Sequence, residues 1–304
     1  MNSYKKFSIY ILLYIVFIYL LSVFLHFTHH PYTNNELTLD YQLKKIKKIK
    51  NKKIKTLIIG DSSAGNSVDA KYLQTLSKQS TVNLALTGSF GINGSLNMLK
   101  RISKEHQELK NIIIIQTLDI WKRPFSKTAF FQTNNETLSN NKHLIKNIFF
   151  ENLKYIFNLK EIRWFIKNQK HKLKTTIDLN YDYMKQEDKK FSNHKKTLKD
   201  KTLDSLIHKD KINALRELDD FCYQKNLNCI YLHGPLHETI VQNSKKIIKK
   251  INMTISSNIQ HIHFIPSSFS VKERYLGDSN DHIDIKYKKE STKIIYSKIQ
   301  KFIK

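Results

Sequence analysis

The sequence predicts an α/β protein with a parallel sheet between two helical layers, preceded by one transmembrane helix. Short apolar segments rich in Ile, Val or Leu alternate with stretches of helical pattern, and such runs are typical of buried parallel strands. Strands that alternate with helices imply right-handed crossovers and a three-layer sandwich. About 250 residues remain after the first segments, which is enough for one domain with a sizeable core.

The N-terminal segment predicts a membrane anchor. Residues 8–27 form an apolar and aromatic run without Asp, Glu, Lys or Arg, and about 20 helical residues span the hydrocarbon core of a bilayer. Lys5 and Lys6 precede the run, as expected for a cytoplasmic tip over residues 1–7. Because no Ala-x-Ala-like cleavage site follows, we expect an uncleaved signal anchor.

Residues 28–55 are predicted to be a basic linker. Lysines are densest over residues 44–55, a cluster that would favour anionic lipid head groups near a membrane. Such a cluster could also favour a cytoplasmic position, but it begins at the edge of the range over which loop charge sets topology. We therefore expect the domain over residues 56–304 to lie outside the cytoplasm.

That domain is predicted to contain five strands and five principal helices. The predicted strands are Thr56–Gly60, Val82–Leu86, Ile112–Thr117, Cys229–His233 and His261–Pro266. The predicted helices are Ala70–Lys78, Ile92–Glu105, Lys209–Lys225, Glu238–Met253 and Lys286–Ile303. The polar, Lys- and Asn-rich segment at about 123–208 interrupts this alternation. We expect a mainly helical insertion there, either a substrate lid or a surface excursion.

The first predicted strand ends abruptly in Gly60-Asp61-Ser62. Glycine permits a sharp turn, and Asp and Ser favour side-chain-to-backbone hydrogen bonds there. If a helix follows, Ser62 lies near its N-terminus, where free N–H groups stabilise developing negative charge. Ser62 is thus a candidate nucleophile, with Ser63 as its rival.

Two later segments complete a candidate active site. The second strand runs towards Gly88, and the carboxyl ends of parallel strands share one edge of a sheet. The Gly88 N–H is therefore a candidate oxyanion donor beside Ser62. Near the C-terminus, His282 is a candidate general base because its pKa suits proton transfer near neutral pH. Asp278 and Asp281 are both candidates to orient its ring.

In these motifs the chain resembles the SGNH, or GDSL-type, hydrolase superfamily, in its membrane-anchored cell-envelope branch of DltD-like and alginate-acetylation-like proteins. Gly60-Asp61-Ser62 resembles the first block of that family and Asn83-Leu84-Ala85-Leu86-Thr87-Gly88 the second. The resemblance implies a flavodoxin-like sandwich in which Ser62 is the nucleophile, Ser62 and Gly88 supply oxyanion donors, and His282 is the base. It also implies a serine esterase or O-acyltransferase acting on acyl or acetyl groups of an envelope polysaccharide, beside a polytopic membrane O-acyltransferase.

Two departures from the family pattern keep an alternative open. The family places its Asp three residues before the His, whereas Asp278 precedes His282 by four residues and Asp281 by one. The third strand runs into Leu118-Asp119, where the family has Gly-x-Asn-Asp, so the usual Asn donor is missing. The alternative is a catalytically degraded protein of this fold that binds glycan or a membrane acyltransferase.

Further residues of the predicted sheet edge are candidates for lining the substrate site. His233 and His237 follow the fourth strand, and Asp119 and Trp121 follow the third. Cys222 and Cys229 are predicted to lie at a helix end and a strand start, either as a disulfide or as two buried thiols. Their spacing does not indicate a metal site, and we expect neither a metal nor a cofactor.

The formal net charge of +26 is extreme. Lysines are scattered along the whole chain, without the Arg-rich or aromatic modules of nucleic-acid-binding folds. We therefore expect most of them on ordinary solvated surfaces, with envelope polyanions as the second interpretation and nucleic acid disfavoured.

Overall fold

The computed structural model of the protein describes residues 3–28, 34–124, 133 and 200–303, with side chains left undescribed over residues 21–37. Contacts divide the chain into two compact units, of which the first includes Met1–Tyr41 and the second Gln42–Ser126 and Ile177–Lys304. In the first unit, helix α1 (Ser3–Thr28) contains a window, Ser3–Leu20, that is long and apolar enough to cross a membrane. Its described apolar side chains, such as Leu12 and Phe17, are mostly exposed. A core helix of a soluble protein would instead bury them.

The second unit is built on a parallel sheet of five strands. In chain order these strands are β1 (Thr56–Gly60), β2 (Thr81–Asn83), β3 (Asn111–Gln116), β4 (Asn228–His233) and β6 (His263–Ile265). Their spatial order is β2-β1-β3-β4-β6 and every pair is parallel. The order therefore reverses between β1 and β3, and such a switch point is where open α/β sheets form their sites.

Helices cover both faces of this sheet. They are α3 (Ser62–Ser67), α4 (Ala70–Ser77), α5 (Gly91–Ser103), α6 (Lys209–Gln224), α7 (Glu238–Asn243), α8 (Lys245–Ser256) and α9 (Lys288–Ile299). Across the sheet, the chain steps one way from β1 to β2 and the opposite way from β2 to β3, β4 and β6. Right-handed crossovers therefore put α4 on one face of the sheet and α5, α6 and α8 on the other. Contacts agree, because α9 packs on α4 while α6 packs on α5 and α8.

The predicted basic linker contains helix α2 (Asn34–Ile49), which is a correction to the sequence-based prediction. Leu43, Ile46 and Ile49 recur every third residue and are buried, so the lysine-rich segment has an apolar stripe. Gln42 Nε2 donates to the Ala85 carbonyl over 2.8 Å, and Lys45 Nζ donates to the Asn83 carbonyl over 3.0 Å. The C-terminal half of α2 thereby satisfies the outward carbonyls of edge strand β2 and its extension.

Most predicted elements are confirmed with small shifts of their ends. The second strand is shorter than predicted, although backbone bonds from Leu84 N to Ile58 O and from Leu86 N to Gly60 O carry the pairing further. The helix predicted over Glu238–Met253 is two helices, α7 and α8, which meet at Ser244. A second sheet, β5 (Pro235–His237) with β7 (Phe269–Val271), was not predicted.

Candidate active site

The turn after β1 requires glycine at position 60. Gly60 has φ of +147°, and a Cβ placed on it would stand 1.8 Å from the Ile115 carbonyl oxygen of β3. A side chain there would both strain the backbone and clash with a central strand. At Gly60 the chain leaves β1, close to β3, and turns sharply into α3, whose first residue is Ser62.

Asp61 holds this turn in place. Its buried carboxylate accepts hydrogen bonds from the Ser63 amide (2.9 Å), the Ser63 hydroxyl (2.5 Å) and the Thr117 amide (2.8 Å). Burial raises the pKa of Asp61, and the charge of Asp281 adds to the rise while the hydrogen bonds lower it. Asp61 therefore braces the loop that carries Ser62, as the Gly-Asp-Ser sequence suggests.

The two adjacent serines have different surroundings. Ser63 is buried, bonds to Asp61 and packs against Gly234, where an added Cβ would stand 2.2 Å from the Ser63 hydroxyl oxygen. Ser62 is partly exposed, and its hydroxyl faces His282. The geometry therefore favours Ser62 over its rival as a nucleophile.

A closed loop carries the candidate base. Leu276 and Ile283 form an antiparallel bridge, and inside it the Gly277 amide donates to the His282 carbonyl over 2.8 Å. The His237 amide donates to the Asn280 carbonyl over 2.8 Å, which joins the loop to β5. This turn brings residues 278 and 282 together despite the spacing that departs from the family pattern.

Ser62, His282 and Asp278 form a continuous hydrogen-bonded chain. His282 Nε2 lies 2.9 Å from Ser62 Oγ, and His282 Nδ1 lies 2.8 Å from Asp278 Oδ1. With the ring proton on Nδ1 facing the carboxylate, Nε2 can accept the Ser62 proton. Asp281 Oδ1 lies 3.8 Å from Nε2, so Asp278, and not Asp281, occupies the orienting position at Nδ1.

The charges of this loop raise the pKa of the His282 ring. Burial lowers the pKa of His282, but the hydrogen bond to Asp278 and the charges of Asp281, Asp278 and Asp61 raise it, and the net pKa lies above its ordinary value. These carboxylates therefore stabilise the imidazolium form of His282.

Both predicted oxyanion donors have available amides. Within the described residues, the backbone N–H groups of Ser62 and Gly88 have no acceptor. Leu86 pairs with Gly60 in the extended ladder, so Gly88 and Ser62 each follow that pair by two residues at the same edge of the sheet. Their joint role in binding an oxyanion stays a prediction.

The structure does not support lining roles for two of the four predicted residues. His233 is buried, its Nε2 lies 2.7 Å from Asn252 Oδ1, and burial lowers its pKa to about 4. Trp121 is likewise buried. Sequence position alone does not reveal this burial, and a lining role for either residue stays a prediction.

The other two predicted lining residues have identifiable structural partners. His237 is buried and its Nδ1 accepts a bond from the Thr239 amide at the start of α7, and burial lowers its pKa. Asp119 is partly exposed and pairs with Lys122 and with Arg123. A lining role for Asp119 stays a prediction.

Two residues near the site were not predicted. Asn83 Nδ2 lies 3.4 Å from the Ala64 carbonyl and 3.3 Å from the Val68 carbonyl, which fixes α3 against β2. Arg123 donates to Asp119 through Nε and Nη2, each at 3.2 Å, while Nη1 stands 1.8 Å from the position that a Cβ on Gly88 would take. The Asp119–Arg123 spacing of four residues was the sequence feature that could have indicated this pair.

Cys222 and Cys229 form a disulfide, which decides between the two predicted states. Most of the predicted insertion at about 123–208, and with it the lid hypothesis, lies outside the described residues. Across the described ranges, no group of three or more His, Cys, Asp or Glu side chains could hold a metal ion. Comparisons of the chain with protein-family models, curated proteins and solved structures find no match.

Proposed function

We propose that this protein is a membrane-anchored serine esterase or O-acyltransferase acting on acyl groups of a cell-envelope polysaccharide. The observation that carries the proposal is the hydrogen-bonded chain Asp278–His282–Ser62. A hydroxyl, an imidazole and a carboxylate in this order form the unit that activates a serine for attack on an ester carbonyl.

In the proposed reaction, His282 Nε2 takes the proton of Ser62 as Ser62 Oγ attacks the ester carbon. Asp278 holds the Nδ1 proton and stabilises the imidazolium. The amides of Ser62 and Gly88 donate to the oxyanion, and His282 then returns its proton to the leaving alcohol. The acyl-enzyme is released to water in an esterase or to a sugar hydroxyl in a transferase.

The proposal includes an SGNH-type fold and an extracytoplasmic domain. The parallel sheet with its β1/β3 switch point and the Ser62 turn agree with such a fold. The Cys222–Cys229 disulfide favours an oxidising compartment. Helix α1 is apolar enough to act as the anchor, and a polytopic membrane acyltransferase is the proposed partner.

A fluorophosphonate probe tests the proposed nucleophile directly. We expect the full-length protein to be labelled at Ser62, and the Ser62→Ala variant to lose labelling with an unchanged thermal unfolding midpoint. Ser63→Ala is the matched control, because it removes the neighbouring hydroxyl, which bonds to Asp61 and not to His282.

Labelling that persists in Ser62→Ala would overturn the proposal. A folded wild-type protein that is never labelled would favour the alternative, a degraded protein of this fold that binds glycan or an acyltransferase. The absence of an Asn after β3, where Leu118 and Asp119 stand, is the observation that favours that alternative.

A further inference from the structure

Two cationic side chains meet the same short turn of the chain, over residues 88–91. The turn closes with a hydrogen bond of 3.3 Å from the Gly91 amide to the Gly88 carbonyl. Arg123 Nη1 lies against the α-carbon of Gly88, and Lys211 Nζ stands 3.2 Å from the position of a Cβ on Gly91. Glycine at both positions leaves room for these cations beside the backbone.

Lys211 is the less expected of the two cations, because lysine is rarely buried. Only 3% of the residue is exposed. Its ion-pair partner, Asp210 Oδ2, lies 3.4 Å away. Burial lowers the pKa of Lys211, as does the nearby Arg123, whereas Asp210 raises it. The ammonium of Lys211 carries three donors, and Asp210 is the one ion-pair partner that the described residues give it, so it can also bind a further anionic group.

The turn also begins helix α5. Its N-cap residue, Phe90, makes no side-chain capping bond, and the first turn of α5 contains no acidic residue. The first amides of a helix lack intrahelical acceptors, and the helix dipole favours negative charge there. The cations beside Gly88 and Gly91, Arg123 and Lys211, add to this preference for negative charge.

The carboxylates near this turn do not neutralise the cations beside them. Asp119 is shared by Lys122 Nζ, at 2.9 Å from its Oδ1, and by Arg123 Nη2, at 3.2 Å from its Oδ2. Asp210 is the other carboxylate. Three cations, Lys122, Arg123 and Lys211, thus meet two carboxylates, and Arg123 Nη1 has no acceptor among the described residues.

We propose that Arg123, Lys211 and the start of α5 form a binding site for a phosphate or carboxylate group of the substrate, beside the Gly88 end of the candidate active site. The assignment of that group to the substrate rests on the proposed function, whereas anion binding itself does not. The site would select an anionic polymer over a neutral one by pairing its charge with Arg123 and Lys211.

Isothermal titration calorimetry of the full-length protein in detergent micelles tests the site, with inorganic phosphate and acetate as separate probes. We expect Lys211→Met and Arg123→Gln each to weaken binding by about tenfold or more, because each removes a charge-assisted contact. Lys209→Met is the matched control: Lys209 is an exposed lysine at the start of the same helix, and its loss should change binding by less than about twofold.

Wild-type protein that binds neither anion, or a folded Lys211→Met variant that binds as well as wild type, would overturn the site. Arg123→Lys keeps the charge and should retain more affinity than Arg123→Gln; equal loss in both variants with melting temperatures unchanged also counts against it. Tighter phosphate binding assigns a phosphoryl group, and tighter acetate binding a carboxylate. Fluorophosphonate labelling of the same samples reports on Ser62 separately, so failure of either proposal is distinguishable.

Discussion

Asp61 joins the two central strands of the sheet through the Thr117 backbone amide, which donates to Asp61 Oδ2 over 2.8 Å. The same carboxylate accepts two bonds from Ser63, so one buried side chain fixes both the end of β3 and the start of α3. The position of Ser62 therefore depends on the Asp61 carboxylate, which has no role in the proposed reaction itself.

Asp61→Asn is expected to destabilise the protein by about 1–3 kcal/mol. The asparagine amide would turn an N–H donor towards either the Thr117 or the Ser63 donors, and one buried donor would lose its acceptor. Urea unfolding followed by circular dichroism measures the change. Asp69→Asn is the matched control, because the Asp69 carboxylate caps α4 by accepting from the Tyr72 amide and asparagine caps equally well. Equal costs for the two variants would contradict the expectation.

Asp278→Asn should reduce the rate of Ser62 labelling by about a hundredfold or more, since Asp278 Oδ1 lies 2.8 Å from His282 Nδ1. Asp281→Asn should reduce it by less than about tenfold, because Asp281 lies 3.8 Å from Nε2 and does not reach Nδ1. Single-turnover labelling rates give both numbers. A larger loss in Asp281→Asn would transfer the orienting role to that residue.

The labelling rate should fall as pH drops, with a midpoint above the ordinary pKa of histidine. Burial lowers the pKa of His282, but the carboxylates of Asp278, Asp281 and Asp61 raise it by more, so the net shift is upward. Once protonated, the ring cannot accept the Ser62 proton. In Asp278→Asn the midpoint should move to lower pH, because a hydrogen bond and a charge that raise the pKa are lost. A midpoint that stays in place would exclude His282 as the titrating base.

Gly234→Ala should destabilise the fold and slow labelling together. The new Cβ would stand 2.2 Å from Ser63 Oγ and 2.8 Å from Ser63 Cβ, and α3 would have to shift with Ser63. Adding Ser63→Ala should recover part of the loss, since it removes the closer of the two contacts. A double-mutant cycle on unfolding free energies measures the coupling, and additive effects would contradict a direct clash.

Reduction of the Cys222–Cys229 disulfide should lower the free energy of unfolding by about 2.5 kcal/mol, as expected for a loop of this length. Urea unfolding with and without a phosphine reductant measures the change. The Cys222→Ala, Cys229→Ala double variant should be insensitive to the reductant. An equal effect of the reductant on both proteins would show that it acts elsewhere.

The alternation of strands and helices could be predicted, as could the ends of three strands to within one residue, because local patterns determine them. Gly60, Ser62 and His282 were identifiable for the same reason, since each lies in a short distinctive motif. The choice between Asp278 and Asp281 could not be made, because it depends on the turn that Leu276 and Ile283 close. Loop geometry of that kind arises from contacts with β5.

Residues 34–49 were misassigned because lysine content obscured the buried spacing of Leu43, Ile46 and Ile49. Arg123 and Lys211 could not be paired from the sequence either. They are brought together by tertiary packing, since one follows β3 and the other begins α6. His233 and Trp121 were assigned to the substrate site from strand ends alone, and the sequence did not show that both side chains are buried.

The docking of α2 along β2 has a practical consequence for any shortened form of the protein. A fragment that starts at Thr56 would lack Gln42 and Lys45, and the carbonyls of Asn83 and Ala85 would lose their donors. An uncovered edge of this kind recruits strands from other molecules, so such a fragment should self-associate. A shortened form would need to retain the C-terminal half of α2 to keep this edge of the sheet covered.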